Sequence, residues 1–272
     1  GVVGVLVAML SMSTGLNKTL TATGDPNRAI ILRGGSNGEL ASFLDRSSST
    51  LIKQDPAIAR HPDGLPFASG ELIVITEVPR KGQSSGANVS LRGVEPKGFD
   101  IRPELNILQG RKFKPGLREL MVGAGAYKQF DGLQVGSKLK FRGSYWDVVG
   151  VFETKDAHDS ELWADLDTVQ SAFGRSGMSS VVVRLNYSKA FDALKRRLTA
   201  DPQLTVDVKT EQDYLSSQSS GLTSQIGFLT NIVAYIMAFG ALFGALNTMY
   251  SAVSSRTAEI GTLRALGFGN AP

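Results

Sequence analysis

Ile226–Val253 reads IGFLTNIVAYIMAFGALFGALNTMYSAV, a run of about 28 residues without a charged side chain. As an α-helix at about 1.5 Å per residue it reaches roughly 42 Å, more than the ~30 Å hydrocarbon layer of a bilayer requires. A membrane span is therefore expected here, and it places everything around it. Directly after it, Ser254–Gly269 (SSRTAEIGTLRALGFG) is short, charged and amphipathic. Ile260, Leu263 and Leu266 fall on one side, Arg256, Glu259 and Arg264 lie elsewhere, and Gly267 and Gly269 supply a stop. Glu211 and Asp213 precede the span, whereas Arg256 and Arg264 outweigh Glu259 after it. The positive-inside rule then puts residues 254–272 in the cytoplasm and the long polar body, residues of about 18–215, outside.

Within the span, Gly240-Ala-Leu-Phe-Gly244 is a G-x-x-x-G. Small residues let helix backbones approach closely where lipid offers no hydrophobic driving force. The motif reads equally as a seam with a second copy of the chain and as packing on another span of the same subunit. Asn247, one turn on, is costly against lipid and is expected to face protein.

Composition removes several function classes. The 272-residue chain is 42% hydrophobic and 20% charged, enough for a sizeable core. With no Cys there is no disulfide framework, cysteine zinc site or thiol chemistry. His61 and His158 are its only histidines, and both fall in polar, loop-like surroundings. The net charge of +4 comes without a long Lys/Arg block, so nucleic acid is not an expected partner. No G-x-x-x-x-G-K-[ST] occurs, so no P-loop holds ATP in this chain. Gly34-Gly-Ser-Asn-Gly38 formally fits G-x-S-x-G, but the later acid and His of a hydrolase lack a suitable context, and it reads as a glycine-rich connection. Asp156-Ala-His-Asp-Ser-Glu161 gathers His and carboxylates, yet the spacing alone does not make them converge on a metal, and solvated loop carboxylates are expected. No catalytic, metal-binding or cofactor-binding residue is assigned.

The body reads as alternating elements. Residues 1 to 17 carry no charge, and no basic region precedes their apolar part, unlike a signal peptide. The outer part of a first membrane helix is expected, a buried globular helix being the alternative, with Gly24-Asp25-Pro26 ending it. Ala29–Arg33 (AIILR) and Leu72–Val78 (LIVITEV) read as strands, and Glu39–Gln54 has helical spacing of Leu40, Phe43, Leu44, Leu51 and Ile52. From Asn88 to about Phe152 short strand signals follow in quick succession. Lys138, Lys140 and Arg142 alternate with Leu139 and Phe141, and Arg142-Gly143-Ser144 reads as a hairpin turn; the basic face is read as solvated. Ser180–Leu185 and Leu204–Val208 read as strands flanking a basic helix over Ser188–Ala200, with Phe191, Leu194 and Leu198 on one face. The fold class expected is α+β: two βαβ-like halves, 26–87 and 176–209, forming one lobe, with a β-rich subdomain, 88–175, inserted between them. Residues 1–25 are expected to form the outer part of the first membrane helix and the stalk, and 210–253 the stalk and second membrane helix. Thr210 caps that last helix, with Asp213 three residues on.

Several stretches together resemble the MacB/FtsX-like permease family of bacterial ABC transporters. They are Asn247–Val253 (NTMYSAV), Arg256–Gly267 (RTAEIGTLRALG), Gly110–Phe113 (GRKF), Gly132–Gly136 (GLQVG), Trp146–Phe152 (WDVVGVF) and Ser160–Asp165 (SELWAD). The resemblance covers nearly the whole chain, from the end of the first to just past the second membrane helix. It implies a periplasmic domain with an α/β lobe and a β-rich lobe, flanked by transmembrane helices in the bacterial inner membrane. It makes residues 254–272 a coupling helix, in which Arg256, Glu259, Ile260, Leu263 and Arg264 contact an ABC-type nucleotide-binding subunit or domain. ATP is bound there and not in this chain. The resemblance further implies a homo- or heterodimer and mechanotransmission across the lipid bilayer, for export or extraction of an envelope substrate. A periplasmic adaptor or hydrolase is a further candidate partner. The alternatives are an FtsX-like regulator of periplasmic cell-wall hydrolases, or a membrane-anchored sensor without an ATPase.

Overall fold

The apolar run Ala29–Leu32 is buried at every residue and forms strand β1 (Arg28–Arg33) of the computed structural model, which describes residues 24–82 and 85–267. The expected first membrane helix and Gly269 lie outside the described residues, apart from the Gly24–Pro26 turn. Two compact units separate by their contacts, one being Thr19–Gln218 and the other containing Ser219–Pro272.

The first unit is a mixed α+β domain on one large sheet. Strands β2 (Ala68–Pro79), β9 (Ser180–Arg184) and β10 (Val206–Thr210) join β1 in the order β10-β1-β9-β2, every neighbour antiparallel. Helix α1 (Arg46–Lys53) lies between β1 and β2 in the chain, and α5 (Phe191–Ala200) between β9 and β10. Each half is thus a split β-α-β unit, with a strand of the other half between its own two strands. Alternation then sorts the side chains to the two faces. Ala29, Ile31, Val181, Val183, Val206 and Val208 pack with Ile52, Leu194 and Leu198 of the helices, while Ile30, Leu32 and Val182 face the other side.

Between β2 and β9 the chain adds β3 (Gly86–Val94), α2 (Gly98–Ile101), β4 (Asn106–Gly110), β5 (Glu119–Gly123), α3 (Ala124–Gln129), β6 (Lys138–Phe141), β7 (Ser144–Glu153), β8 (Leu162–Asp165) and α4 (Leu166–Phe173). The same sheet continues through them as β2-β3-β8-β5-β7-β4, with β6 also on β7. The stretch 88–175 is therefore joined to the split units by strand pairing: β3 runs along β2 from Val94 opposite Glu71 to Gly86 opposite Pro79. The β6–β7 turn places Arg142 at φ 48° and Gly143 at φ 79°, two left-handed residues that match the twist of a tight hairpin. Leu139 and Phe141 are buried beneath the exposed lysines.

One expected helix is broken. Residues 39–54 form a 3-10 turn, Glu39–Ala41, and then α1. Leu44 between them exchanges backbone hydrogen bonds with Met178, and Asp45 caps α1 by accepting from Ser48 N. Tertiary pairing of Leu44 overrides the helical spacing, leaving Leu40 and Phe43 exposed.

In the chain order that follows, α6 spans Glu211–Ser255 and α7 Thr257–Ala265, with Arg256 between them at φ −108°, ψ 15°. Asn231–Ser255, 25 residues of mean hydropathy 1.7 with none of its apolar window buried, is long and apolar enough to cross a membrane. At about 1.5 Å per residue it covers roughly 37 Å.

Candidate functional site

Glu71 on β2 and Arg92 on β3 stand on the sheet face opposite Leu72, Val74, Val89 and Leu91, which fill the main core. A charge buried on a strand needs partners, and Arg92 has three. All five of its N–H groups donate to carboxylates. Nε and Nη2 reach Glu161 at 2.7 and 2.8 Å, Nη1 and Nη2 reach Glu39 at 2.8 and 3.1 Å, and Nη1 also reaches Glu71 at 2.8 Å. Arg102, at the end of α2, forks onto Glu71 at 2.6 and 3.1 Å. Ser180 Oγ donates to Glu39 and Trp163 Nε1 to Glu161. Burial raises the Glu71 carboxyl, but Arg102 and Arg92 outweigh it and hold it down at about 2. Burial acts the same way on Glu161, where Arg92 wins and lowers it.

His158 belongs to the same cluster. It sits in a 3-10 turn, Ala157–Ser160, capped by Asp156. Its Nδ1 lies 2.9 Å from Asp156 Oδ1, and its ring stands edge-on to Trp163 at 5.6 Å. Burial pushes its pKa down, yet Glu161 and Asp156 push harder and raise it overall. The expected solvated loop is thus a buried corner: His158 is 7% exposed. His61 instead stacks on Phe67, ring centres 3.5 Å apart.

The base of α6 docks on this cluster. Thr210 Oγ1 caps the helix, accepting from Asp213 N at 3.0 Å. Glu211 accepts from Arg28 Nε at 2.7 Å and from Asp25 N at 3.0 Å, while Arg28 also pairs with Glu104 at 2.6 Å. Tyr214 Oη accepts from Glu39 N at 3.2 Å and packs with Ile30, Leu32, Ile101 and Val182. Burial pushes the Tyr214 hydroxyl up to about 12. A cavity of about 180 Å³ opens between Glu39, Arg92, Arg102, His158, Glu211 and Tyr214. Two remote parts of the chain, the sheet and the first turn of α6, are tied here through buried polar and charged groups.

The residues singled out from the sequence lie elsewhere. Arg256 links α6 to α7, Glu259 lies in the first turn of α7 and Arg264 in its last. Ile260 and Leu263 are exposed on that helix. Gly240, Gly244 and Asn247 are exposed on α6, and a Cβ added at either glycine meets open space. Among the described residues, no group of three or more His, Asp or Glu side chains is arranged to hold a metal ion. Sequence reasoning missed Glu71, Arg92, Arg102 and Glu39. A usable signal existed at Arg92 and Glu71: a charged residue within or bordering an otherwise apolar strand is rarely buried without a partner.

A family model described as the MacB-like periplasmic core domain matches residues 2–201. Among solved structures, the extracellular domain of the noncanonic ABC-type transporter YknZ from Gram-positive bacteria is similar with a TM-score of 0.50 at 14% identity, over 68% of this chain and 100% of that one. The periplasmic region of MacB from Actinobacillus actinomycetemcomitans is similar with a TM-score of 0.51 at 17% identity, over 73% of this chain and 92% of that one. At such identities the likeness is one of fold. No curated protein matches the sequence.

Proposed function

The chain belongs to the MacB-like periplasmic core domain family, and on that premise we propose that it is a permease subunit of a bacterial ABC transporter of the mechanotransmission type. In this reading ATP is hydrolysed on a separate nucleotide-binding subunit or domain. Its closure moves α7, α6 carries the movement across the membrane, and the periplasmic domain rearranges to export or extract an envelope substrate. The observation that carries the reading is the extent of α6. Its first residue, Glu211, is held in the charge cluster of the outer domain, and its helical assignment continues through the apolar stretch Asn231–Ser255. A helix held at its base by buried ion pairs resists slipping, because breaking such a pair costs about 3–5 kcal/mol. Arg256, Glu259, Ile260, Leu263 and Arg264 are the proposed ATPase contacts. Gly240 and Gly244 are the proposed close-approach surface for a second permease copy or a neighbouring span.

The test uses the full-length transporter with its ATPase in proteoliposomes. These 272 residues hold no Cys; with any other Cys of the transporter replaced, one Cys at the exposed Lys138 of each permease copy carries a spin label. ATP with vanadate is expected to change the label's distance distribution. Three glycines inserted after Gln218 are expected to abolish that change while ATP hydrolysis continues. An insertion variant with an undiminished label response overturns the reading.

A further inference from the structure

The contacts that fasten the base of α6 meet one histidine. Tyr214 Oη accepts from the backbone of Glu39, whose side chain sits on Arg92. His158 lines the same cavity as Tyr214, Glu39, Arg92 and Glu211. The charged groups around it come from every side. Asp156 belongs to its own turn and Glu161 precedes β8; Arg92 comes from β3, Glu71 from β2, Glu39 from the 3-10 turn, Arg102 from the end of α2 and Glu211 from α6. The turn also holds Asp159, which accepts from Thr154 and from the Lys155 backbone. Of the other elements packed on it, α3 carries Lys128, which is exposed, and β5 carries Glu119, which is paired with Arg111. β7 carries Asp147, exposed and paired with Lys138, and ends in Glu153, which is half-buried. In the charge cluster that His158 joins, Glu39, Glu71, Glu161 and Asp156 stand against Arg92 and Arg102, a surplus of two carboxylates. A cation at His158 offsets one of those two charges, and a neutral imidazole offsets none.

We propose that His158 is a proton-responsive latch that, when protonated, keeps the charge cluster closed around Glu39 and Tyr214 and so holds the first turn of α6 on the domain. Deprotonation leaves uncompensated carboxylate charge in the cavity and loosens the Tyr214–Glu39 contact. A rise in pH in the compartment around the domain therefore weakens the grip on the helix. The inference goes beyond the transport role and does not depend on it.

The sign follows from linkage. His158 binds its proton more tightly in the latched state, so latching is strongest below the ordinary histidine pKa of about 6.5. It is lost as pH rises through the raised value. Glu71 and Tyr214, at about 2 and about 12, do not change charge in that window.

Hydrogen exchange of the full chain in detergent micelles, corrected for the intrinsic pH dependence of exchange, tests this between pH 6 and 9. The amides of residues 215–217, the first bonded inside α6, report the latch. Protection is expected to fall as pH rises, by up to about tenfold per pH unit, the limit for one linked proton, and then to level off. His158→Gln is expected to remove the slope, His61→Gln to keep it, and Tyr214→Phe to give low protection throughout. A flat wild-type profile, or a His158→Gln variant that keeps the slope, overturns the proposal. If that variant does not fold, the wild-type NMR titration decides: a His158 ring that does not titrate together with the protection overturns it equally.

Discussion

Replacing Arg92 by leucine removes one guanidinium and strands two carboxylates. Arg92 makes five hydrogen bonds to Glu39, Glu71 and Glu161, whose side chains are 6%, 0% and 12% exposed. Glu71 keeps both bonds to Arg102, so the loss falls on the other two. Glu39 retains one bond from Ser180 and Glu161 one from Trp163, too little to stabilise an isolated buried charge. Removing one partner from a buried pair costs about 3–5 kcal/mol at neutral pH. For a unit of this size each kcal/mol shifts Tm by about 2–4 °C, so a fall of roughly 6–20 °C is expected. The penalty carries a sign in pH. Without Arg92, burial is expected to raise the folded-state pKa of the Glu161 carboxyl, and a group raised in this way is most favourable below its unfolded value and loses stability as pH rises. Arg92→Leu is therefore expected to lose less stability at pH 5 than at pH 7.5. Trp146 and Trp163 are the only tryptophans and both are fully buried in the first unit, so their fluorescence reports unfolding of that unit within the full chain. A loss below about 1 kcal/mol, or a loss that does not shrink toward pH 5, refutes the view that this cluster is both buried and tightly coupled.

Other consequences follow from particular contacts. Glu71→Gln is expected to differ most from the parent above the ordinary carboxylate value of 4.5, with the difference disappearing as pH falls toward about 2. At 1.36 kcal/mol per pKa unit the share lost is on the order of 3 kcal/mol, measurable by urea unfolding at a series of pH values. Gly110→Ala puts a Cβ against Val149 O and 2.9 Å from Gly150 Cα at φ 73°, so backbone must shift and a loss above about 2 kcal/mol is expected. Gly116→Ala, at φ 76° with open space around it, is the control and is expected to cost only about 1 kcal/mol in the same denaturation assay. Glu259→Lys on exposed α7 is expected to leave Tm unchanged and to abolish stimulation of the partner ATPase; intact stimulation removes Glu259 from the contact.

Much of the domain was legible locally. The strands at Ala29–Arg33, Leu72–Val78 and Ser180–Leu185, and the tight turn at Arg142-Gly143, carry their own signals, because burial on a pleated strand has a period of two and left-handed turn positions favour glycine. Strand β4 was not legible: NILQG is exposed along almost its whole length and has no apolar face to mark it. The broken helix over residues 39–54 shows the opposite failure, since its spacing was helical but Leu44 found a strand-like partner 134 residues away at Met178.

Charge and hydropathy along the chain determined by themselves that an apolar stretch of spanning length follows a polar α+β body and precedes a short charged helix. They also excluded thiol chemistry and a P-loop within these residues, since there is no Cys and no G-x-x-x-x-G-K-[ST]. Only the tertiary structure decided that the two β-α-β halves interlock in one sheet. It alone decided that Arg92 meets Glu39 across 53 residues and that Arg28 meets Glu211 across 183. Periodicity reports which face of an element is buried, whereas the pairing of charges depends on which distant strands become neighbours. That pairing turns the start of the apolar-ended helix from a simple chain connection into a residue-by-residue joint with the domain it leaves.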